Sequence, residues 1–304
     1  MSTICLPDAG ASELLGELPA GIETVVWDGS GPPPPGSEHV GLLVAPFAPS
    51  ALPAKALLHL PALRVIQLLS AGAEPWLGRV PDGVVLCNAR GAHGGSTAEL
   101  ALAGLFSLLK QLPTFGQAQR AHDWARAETD GLAGKRVLIL GAGDIGARIA
   151  AVSEILGAQV TFVGRRARPG VRGPAELPEL LARHDVVIVA LPHTPETVNL
   201  VDAAFLAAMP DGAILVNIAR GPIVDTDALV AELMAGRLHA FLDVTEPEPL
   251  PTDHPLWDAP NLVLTPHVGG ATYGWQSRAY QLVRDQVVRF HQGQPLENVV
   301  SEGY

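Results

Sequence analysis

Cysteine is nearly missing from this chain: of 304 residues only Cys5 and Cys87 carry a thiol. Neither stands in a metal-ligand or redox spacing, which argues against a disulfide framework and a thiolate metal site, and no metal is expected. Both read as buried thiols of a reducing compartment. Positive charge is also in short supply, with 20 Lys and Arg against 31 Asp and Glu and a net charge of −11. That balance excludes a general affinity for nucleic acid or an anionic membrane, so any bound anion must be held by a local cluster. Long apolar runs are missing too. The longest uncharged one, residues 100–109, is about half of the ~20 residues that a bilayer span needs. The N-terminal MSTICLPDAG has no basic segment followed by an apolar core, so no signal peptide is expected and the chain reads as a soluble cytoplasmic protein. No internal repeat at a solenoid period is visible.

What the chain does contain is apolar residues in abundance, 48% against 17% charged, over a length that suits two globular domains. Short apolar runs at residues 24–27, 41–45, 65–69 and 84–87 alternate with helix-length stretches such as 50–60, which predicts a small parallel sheet. The prolines at 32–35 predict a stiff surface loop. Next, Ser96 with Glu99 three residues on has the form of a capping box, and Pro113 closes the segment, so a helix is predicted over about 97–112. Its apolar residues wrap nearly the whole circumference. Burial between domains and burial against a second subunit both fit that pattern, and a homodimer is expected.

The organising stretch is KRVLILGAGDIGARIAA at residues 135–151. An apolar run over 137–140 enters Gly141, Gly143, Asp144, Ile145 and Gly146, after which the pattern takes the 3.6-residue period of a helix. Strand, glycine turn and helix in succession form a dinucleotide-binding fingerprint, with the pyrophosphate facing the first helical N–H groups. Further strands are predicted at 159–163, 185–191, 213–216, 240–242 and 262–264, with helix-like segments between them such as 226–235, which Gly236 ends. These six strands predict a doubly wound parallel sheet. Residues 273–291 read as one more helix, stopped by Gly293.

The second of these strands bears on the cofactor. NAD selection needs an acid near its end, but here the chain reads VTFVGRRARPG. Arg165 and Arg166 suit a 2′-phosphate, so NADP is expected over NAD; as plain surface residues they would be a solvated basic loop.

Three polar side chains lie where later strands end: Arg220 in NIARGP, Glu248 in DVTEPEPLP and His267 in LTPHVGG. Strand carboxyl ends in an open sheet form the ligand crevice. A carbonyl beside a carboxylate needs a fork of donors, an acid or base for its oxygen, and a group that keeps that acid protonated. Arg220 offers the fork. His267 offers the acid, because imidazole titrates near neutrality. Glu248 offers the third, since a carboxylate against imidazolium favours the charged form. Singly, each has an ordinary structural explanation; together, at strand ends, they predict a site. His59, His184 and His254 have no such setting and are expected to be structural.

With these motifs in view, the chain resembles the D-isomer-specific 2-hydroxyacid dehydrogenases over essentially its full length. The resemblance rests on STAEL, GAGDIG, VNIARGPIVD, LDVTEPEPLP and PLWDAPNLVLTPHVGG, in that order. It implies two Rossmann-like α/β domains with a cleft and hinge: a flavodoxin-like substrate domain of residues 1–96 plus 273–304, and a dinucleotide-binding domain of 97–272. It puts Arg220, Glu248 and His267 on the family's catalytic residues, and Asp243 on the acid that holds the nicotinamide carboxamide. It implies further cofactor contacts at Leu191, Pro192, Thr197, Ile218, Ala219 and Gly269. Ser70, Ala71 and Gly72 match the carboxylate-binding turn, though by their own sequence they are a plain strand-end turn. GRRAR is similar to the NADPH-preferring glyoxylate and hydroxypyruvate reductase branch. Formate dehydrogenases carry glutamine where Glu248 stands, and phosphite dehydrogenases carry a lysine in the loop of Ser70 to Gly72. No regulatory domain is expected after Tyr304. The implied activity is hydride transfer between NADP(H) and a small 2-keto or D-2-hydroxy acid. The alternative is a dinucleotide-sensing binding protein resembling the corepressor relatives, with little catalysis.

Overall fold

The computed structural model describes residues 1–48 and 52–300, and in it the chain forms two units. One is Met1–His93 with the chain from Tyr273 onward; the other is Gly94–Thr272. Among the described residues no helix is long and apolar enough to cross a membrane.

Numbered along the chain, the first unit carries β1 (Ser2–Leu6), α1 (Gly10–Leu15), β2 (Ile22–Val26), β3 (Val40–Val44), β4 (Val65–Gln67) and β5 (Val85–Cys87), and it takes α8 (Trp275–Gln292) from the far end. Its sheet is parallel, in the order β2-β1-β3-β4-β5. Successive side chains of a strand point to opposite faces. Ile4, Leu6, Leu42 and Val44 therefore share one core with Leu15 of α1 and Tyr280, Val283 and Val287 of α8. Cys5, Leu43, Ile66 and Leu86 turn the other way, onto Trp27, Leu57 and Trp76. Both thiols lie inside these cores, and burial pushes Cys5 up to about 12 and Cys87 up to about 11.

Two buried amide side chains meet in this interior. Gln67 of β4 is fully buried; its Oε1 accepts from Gln286 Nε2 of α8 at 3.1 Å, and Gln286 exchanges two further bonds with the Glu297 backbone. The chain after α8 then runs beside β5: Cys87 pairs with Val299, Asn88 N donates to Asn298 O, and Val300 N donates to Leu86 O. Buried amides with all their partners in place lock this arrangement.

The four expected strands of this unit occur, moved by a residue or two at their ends. β1 is additional, and it pairs with β2 on one side and β3 on the other. Of the expected helix-length stretch 50–60, Ser50 and Ala51 lie outside the described residues, and Ala54–His59 is a 3₁₀ segment.

The second unit contains α2 (Gly94–Leu109), α3 (Leu112–Arg120), β6 (Arg136–Leu140), α4 (Asp144–Ile155), β7 (Gln159–Val163), β8 (Val171–Arg172), α5 (Leu177–Leu181), β9 (Val186–Val189), α6 (Ala203–Ala208), β10 (Ile214–Asn217), α7 (Thr226–Met234), β11 (His239–Leu242) and β12 (Leu262–Leu264). The parallel order is β12-β11-β10-β9-β6-β7-β8. The chain starts at β6, adds β7 and β8 on one side, then returns to build β9 to β12 on the other, so the direction reverses beside β6. Ligands of open α/β sheets bind at such a point, outside the strand carboxyl ends. Both faces are covered, which explains continuous apolar runs such as Val186–Val189. Leu138, Val187, Leu215 and Leu242 pack towards α5, α6 and α7, whereas Ile139, Ile188, Val216 and Phe241 pack towards α2 and α4.

Two expectations need correction. The α2 helix begins at Gly94, so Ser96 lies in its first turn instead of capping it. It also stops at Leu109, and Gln111 takes a left-handed φ of 52° before α3 starts with Pro113 in its first turn. Proline there opens a second helix because the missing N–H has no helical partner at that position. In addition, a seventh strand, the two-residue β8, is too short to leave a pattern in the sequence. α3 has no buried residue, residues 121–130 are exposed throughout, and Trp124 is 92% exposed.

Beyond α7, Arg237 binds the Glu232 carboxylate at 2.6 Å and caps the end of α6 through the Leu206 and Met209 carbonyls. Its guanidinium holds the Glu232 carboxyl below the usual range.

Candidate active site

The glycine turn follows β6 at the reversal point. Gly141 has φ 114°, and a Cβ there would stand 2.3 Å from Ala190 O at the end of β9. At Gly146 a Cβ would meet Gly141 O at 2.2 Å, so strand, turn and α4 close on one another only with glycine at both places. Gly143 differs: nothing lies within 4 Å of the position its Cβ would take. That open cradle lies at the N-terminus of α4, where helical N–H groups lack partners in the chain. A pyrophosphate fits such a cradle. Asp144 opens α4 and pairs with Arg148 at 2.9 Å, and Ile145 packs inward on the α2 side of the sheet.

The arginine segment forms the exposed turn between β7 and β8, with Arg165 and Arg166 both in solvent. Arg168 reaches back and donates to Ala142 O in the glycine turn at 3.3 Å. Across from it, the loop after β9 carries Leu191 and Pro192 and is tied by Thr197, whose Oγ1 donates to Pro192 O at 2.9 Å. In the same loop His193 Nε2 is buried with no hydrogen-bond partner among the described residues, an orphan that a polar group of a bound molecule would satisfy.

The three sequence-predicted groups leave neighbouring strands. Asn217, Leu242 and Leu264 are in register across β10, β11 and β12. Strand spacing separates the outer two by about 10 Å, and Arg220, Glu248 and His267 follow within a few residues. Asn217 is buried and shapes the Arg220 loop, donating to Arg220 O at 3.0 Å and accepting from Ala219 N at 3.1 Å, and Ile218 and Ala219 are buried beside it. A Cβ on Gly221 would stand 1.9 Å from Thr245 O, so glycine lets the Arg220 loop lie directly on the loop leading to Glu248.

His267 Nδ1 lies 2.5 Å from Glu248 Oε1, and the two side chains remain 44% and 40% exposed, open to a solute. An ionised carboxylate only accepts, so Nδ1 carries the hydrogen of this pair and Nε2 is the nitrogen left for a second partner.

Under this pair lies Asp243, 2% exposed at the end of β11. Its Oδ1 accepts from Thr265 Oγ1 at 2.6 Å and Val268 N at 2.9 Å, and its Oδ2 accepts from Gly269 N at 2.9 Å. The structure thus joins Glu248 to His267 and Asp243 to Gly269. The Ser70–Ala71–Gly72 turn belongs to the first unit. There Ser70 Oγ donates to Gly72 O at 2.7 Å, and Asn88 Nδ2 holds Ala71 O at 2.9 Å. Of the histidines set aside, His184 is buried between Leu180 O and Thr161 Oγ1, and His254 accepts from Leu256 N. Asn217, Gly221 and Thr265 escaped the sequence reading. A buried asparagine at a strand end was the one signal available for the first.

Open parallel sheet, glycine turn at the reversal point and polar groups at strand ends together define a dinucleotide-binding α/β protein. Residues 102–269 match the family described as D-isomer specific 2-hydroxyacid dehydrogenase, NAD binding domain. The chain is 38% identical over 230 residues to D-3-phosphoglycerate dehydrogenase of Mycobacterium bovis, covering 73% of this chain and 43% of that protein. It is 35% identical over 213 residues to human glyoxylate reductase/hydroxypyruvate reductase, covering 66% of this chain and 65% of that one. Its fold superposes with a TM-score of 0.85 and 30% identity on a D-isomer specific 2-hydroxyacid dehydrogenase from Xanthobacter autotrophicus Py2, solved with NADPH and MES, over 100% of this chain and 99% of the other. The chain belongs to the D-isomer specific 2-hydroxyacid dehydrogenase family, whose nucleotide unit binds NAD(P). It spans less than half the length of the phosphoglycerate dehydrogenases it matches.

Proposed function

We propose that this protein reduces a small 2-keto acid of the glyoxylate or hydroxypyruvate type to the D-2-hydroxy acid with NADPH. The observation that carries the reading is the 2.5 Å contact between His267 Nδ1 and Glu248 Oε1 beside the strand that leads to Arg220. When bound, the reduced nicotinamide supplies the hydride. Gly141, Gly143 and the first turn of α4 receive the pyrophosphate, Asp243 the carboxamide, and Arg165 with Arg166 the 2′-phosphate. Arg220 orients the carboxylate and polarises the carbonyl, and Ser70–Gly72 is the carboxylate-binding turn of the first unit. His267 gives a proton from Nε2 to the carbonyl oxygen, and Glu248 fixes the ring by holding Nδ1–H. In the oxidising direction the same nitrogen takes the proton back.

The first unit is the substrate domain in this reading and the second the nucleotide domain. Buried thiols without a redox spacing support a cytoplasmic location. The exposed α3 segment with Trp124 supports a homodimer, in which it finds cover on a second copy.

The test is NADPH absorbance with glyoxylate, hydroxypyruvate, pyruvate and phenylpyruvate, repeated with NADH. His267→Ala is expected to lower turnover by about two to four orders of magnitude, the contribution of a positioned acid. Near-normal turnover in that variant would remove the mechanism. Tight NADPH binding with no reduction of any of the four acids would favour a dinucleotide-sensing binding protein instead.

A further inference from the structure

His267 has φ 52°, a left-handed conformation that residues with a side chain adopt sparsely. Something must hold it there, and its neighbours show what does. The His267 amide donates to Asp243 O at 2.7 Å. From the other side the Asp243 carboxylate takes the hydroxyl of Thr265, two residues before the histidine, and the amides of Val268 and Gly269, one and two residues after it. The backbone from Thr265 to Gly269 is thus wrapped around one buried carboxylate. A Cβ on Gly269 would come within 2.9 Å of Asp243 Oδ2, so the wrap has no slack.

We propose that Thr265 and Asp243 form a clasp whose job is to keep His267 in this left-handed conformation, and that Thr265 is a positioning residue for the proton-transferring imidazole. Backbone strain at functional positions persists only where the surroundings over-determine it, and four hydrogen bonds from five consecutive residues onto one aspartate do so. Of these bonds, only the one from Thr265 comes from a side chain, so it alone can be removed by substitution without changing the backbone. Three bonds use three of the roughly four acceptor positions of a carboxylate, and the remaining one, on Oδ2, is compatible with Asp243 also meeting a carboxamide. With the clasp open, the ring of His267 relaxes away from its rotamer and Glu248 loses the Nδ1 hydrogen.

Thr265→Val keeps the shape and deletes the donor; Thr265→Ser restores it. In its kinetic arm the test rests on the reductase reading above. Thr265→Val should lower kcat by about 10-fold to 100-fold, the effect of misplacing a reacting group by about 1 Å, with KM for the keto acid and NADPH affinity by fluorescence unchanged. Thr265→Ser should recover most of the loss. A second arm needs no turnover. The low-field Nδ1 proton resonance of His267, identified by its disappearance in His267→Gln, should vanish or move upfield in Thr265→Val and return in Thr265→Ser. An unchanged resonance and unchanged kcat in Thr265→Val would overturn the clasp, as would a Ser variant as impaired as the Val one. If the wild-type protein reduces no 2-keto acid, the function proposed above falls and the resonance alone decides on the clasp. Thermal unfolding checks that each variant folds, and Thr265→Ala replaces Thr265→Val should the latter not.

Discussion

One hydrogen bond, from His267 Nδ1 to Glu248, sets which ring nitrogen is left for a second partner, and a single aspartate organises the loop beneath it. The proposed preference for NADPH rests on equally few side chains. Arg165 and Arg166 lie in solvent at the end of β7, where a ribose-binding acid would otherwise stand, and Arg165 adds to the forces that keep the Glu196 carboxyl below its usual range, after the bond from Thr194. A guanidinium near a 2′-phosphate forms charge-assisted bonds that NADH has no group to accept. The double variant Arg165→Ala/Arg166→Ala is therefore expected to raise KM for NADPH at least tenfold, about 1.4 kcal/mol of lost binding, and to leave KM for NADH nearly unaltered. Steady-state kinetics with both cofactors checks this, and equal losses for the two would mean that the arginines do not read the phosphate.

Strands and helices show why some of this was legible in advance and some was not. Gly141, Gly143 and Gly146 carry their purpose in local sequence, because strand, turn and helix follow one another without a break. His267 and Glu248, nineteen residues apart, were legible as strand-end groups and through family motifs. The clasp on Asp243 was not, since its partners come from a different strand and two of its three donors are backbone amides, which leave no trace in residue identity. β8 went unread for a related reason: it is two residues long, and pairing with β7 decides its state. Pro113 looked like a stop and proved to be a start, a distinction that depends on the left-handed Gln111 before it. The end of α7 yields its own prediction. Glu232 has a folded-state pKa held down by Arg237, so the pair contributes stability above the ordinary carboxylate range, and that contribution is lost as pH falls through the depressed value. Glu232→Gln should therefore melt below wild type at neutral pH, with the gap closing as the solution is acidified. A gap independent of pH would mean that packing, not charge, makes the difference.

Two units of unequal continuity make up the chain: Gly94–Thr272 is one uninterrupted segment, while the other unit is assembled from both ends. Beside the core that α8 shares with β1, β3 and α1, the Gln67–Gln286–Glu297 network and the pairing of Val299 and Val300 with β5 join those ends. Removing residues from Glu297 onward should unpair a buried amide and bare the β5 edge. A drop of several degrees in Tm is expected from a loss of about 1–3 kcal/mol, read by calorimetry on the shortened protein. During synthesis on the ribosome the sheet that emerges first, with Ile4, Leu6, Leu42 and Val44 on one face, has only the short α1 to cover that face until α8 has left the exit tunnel. The other unit is complete in sequence at Thr272, just before α8 is made. Newborn chains thus carry an oily, unfinished flank through most of translation, and that flank is where a chaperone would find them.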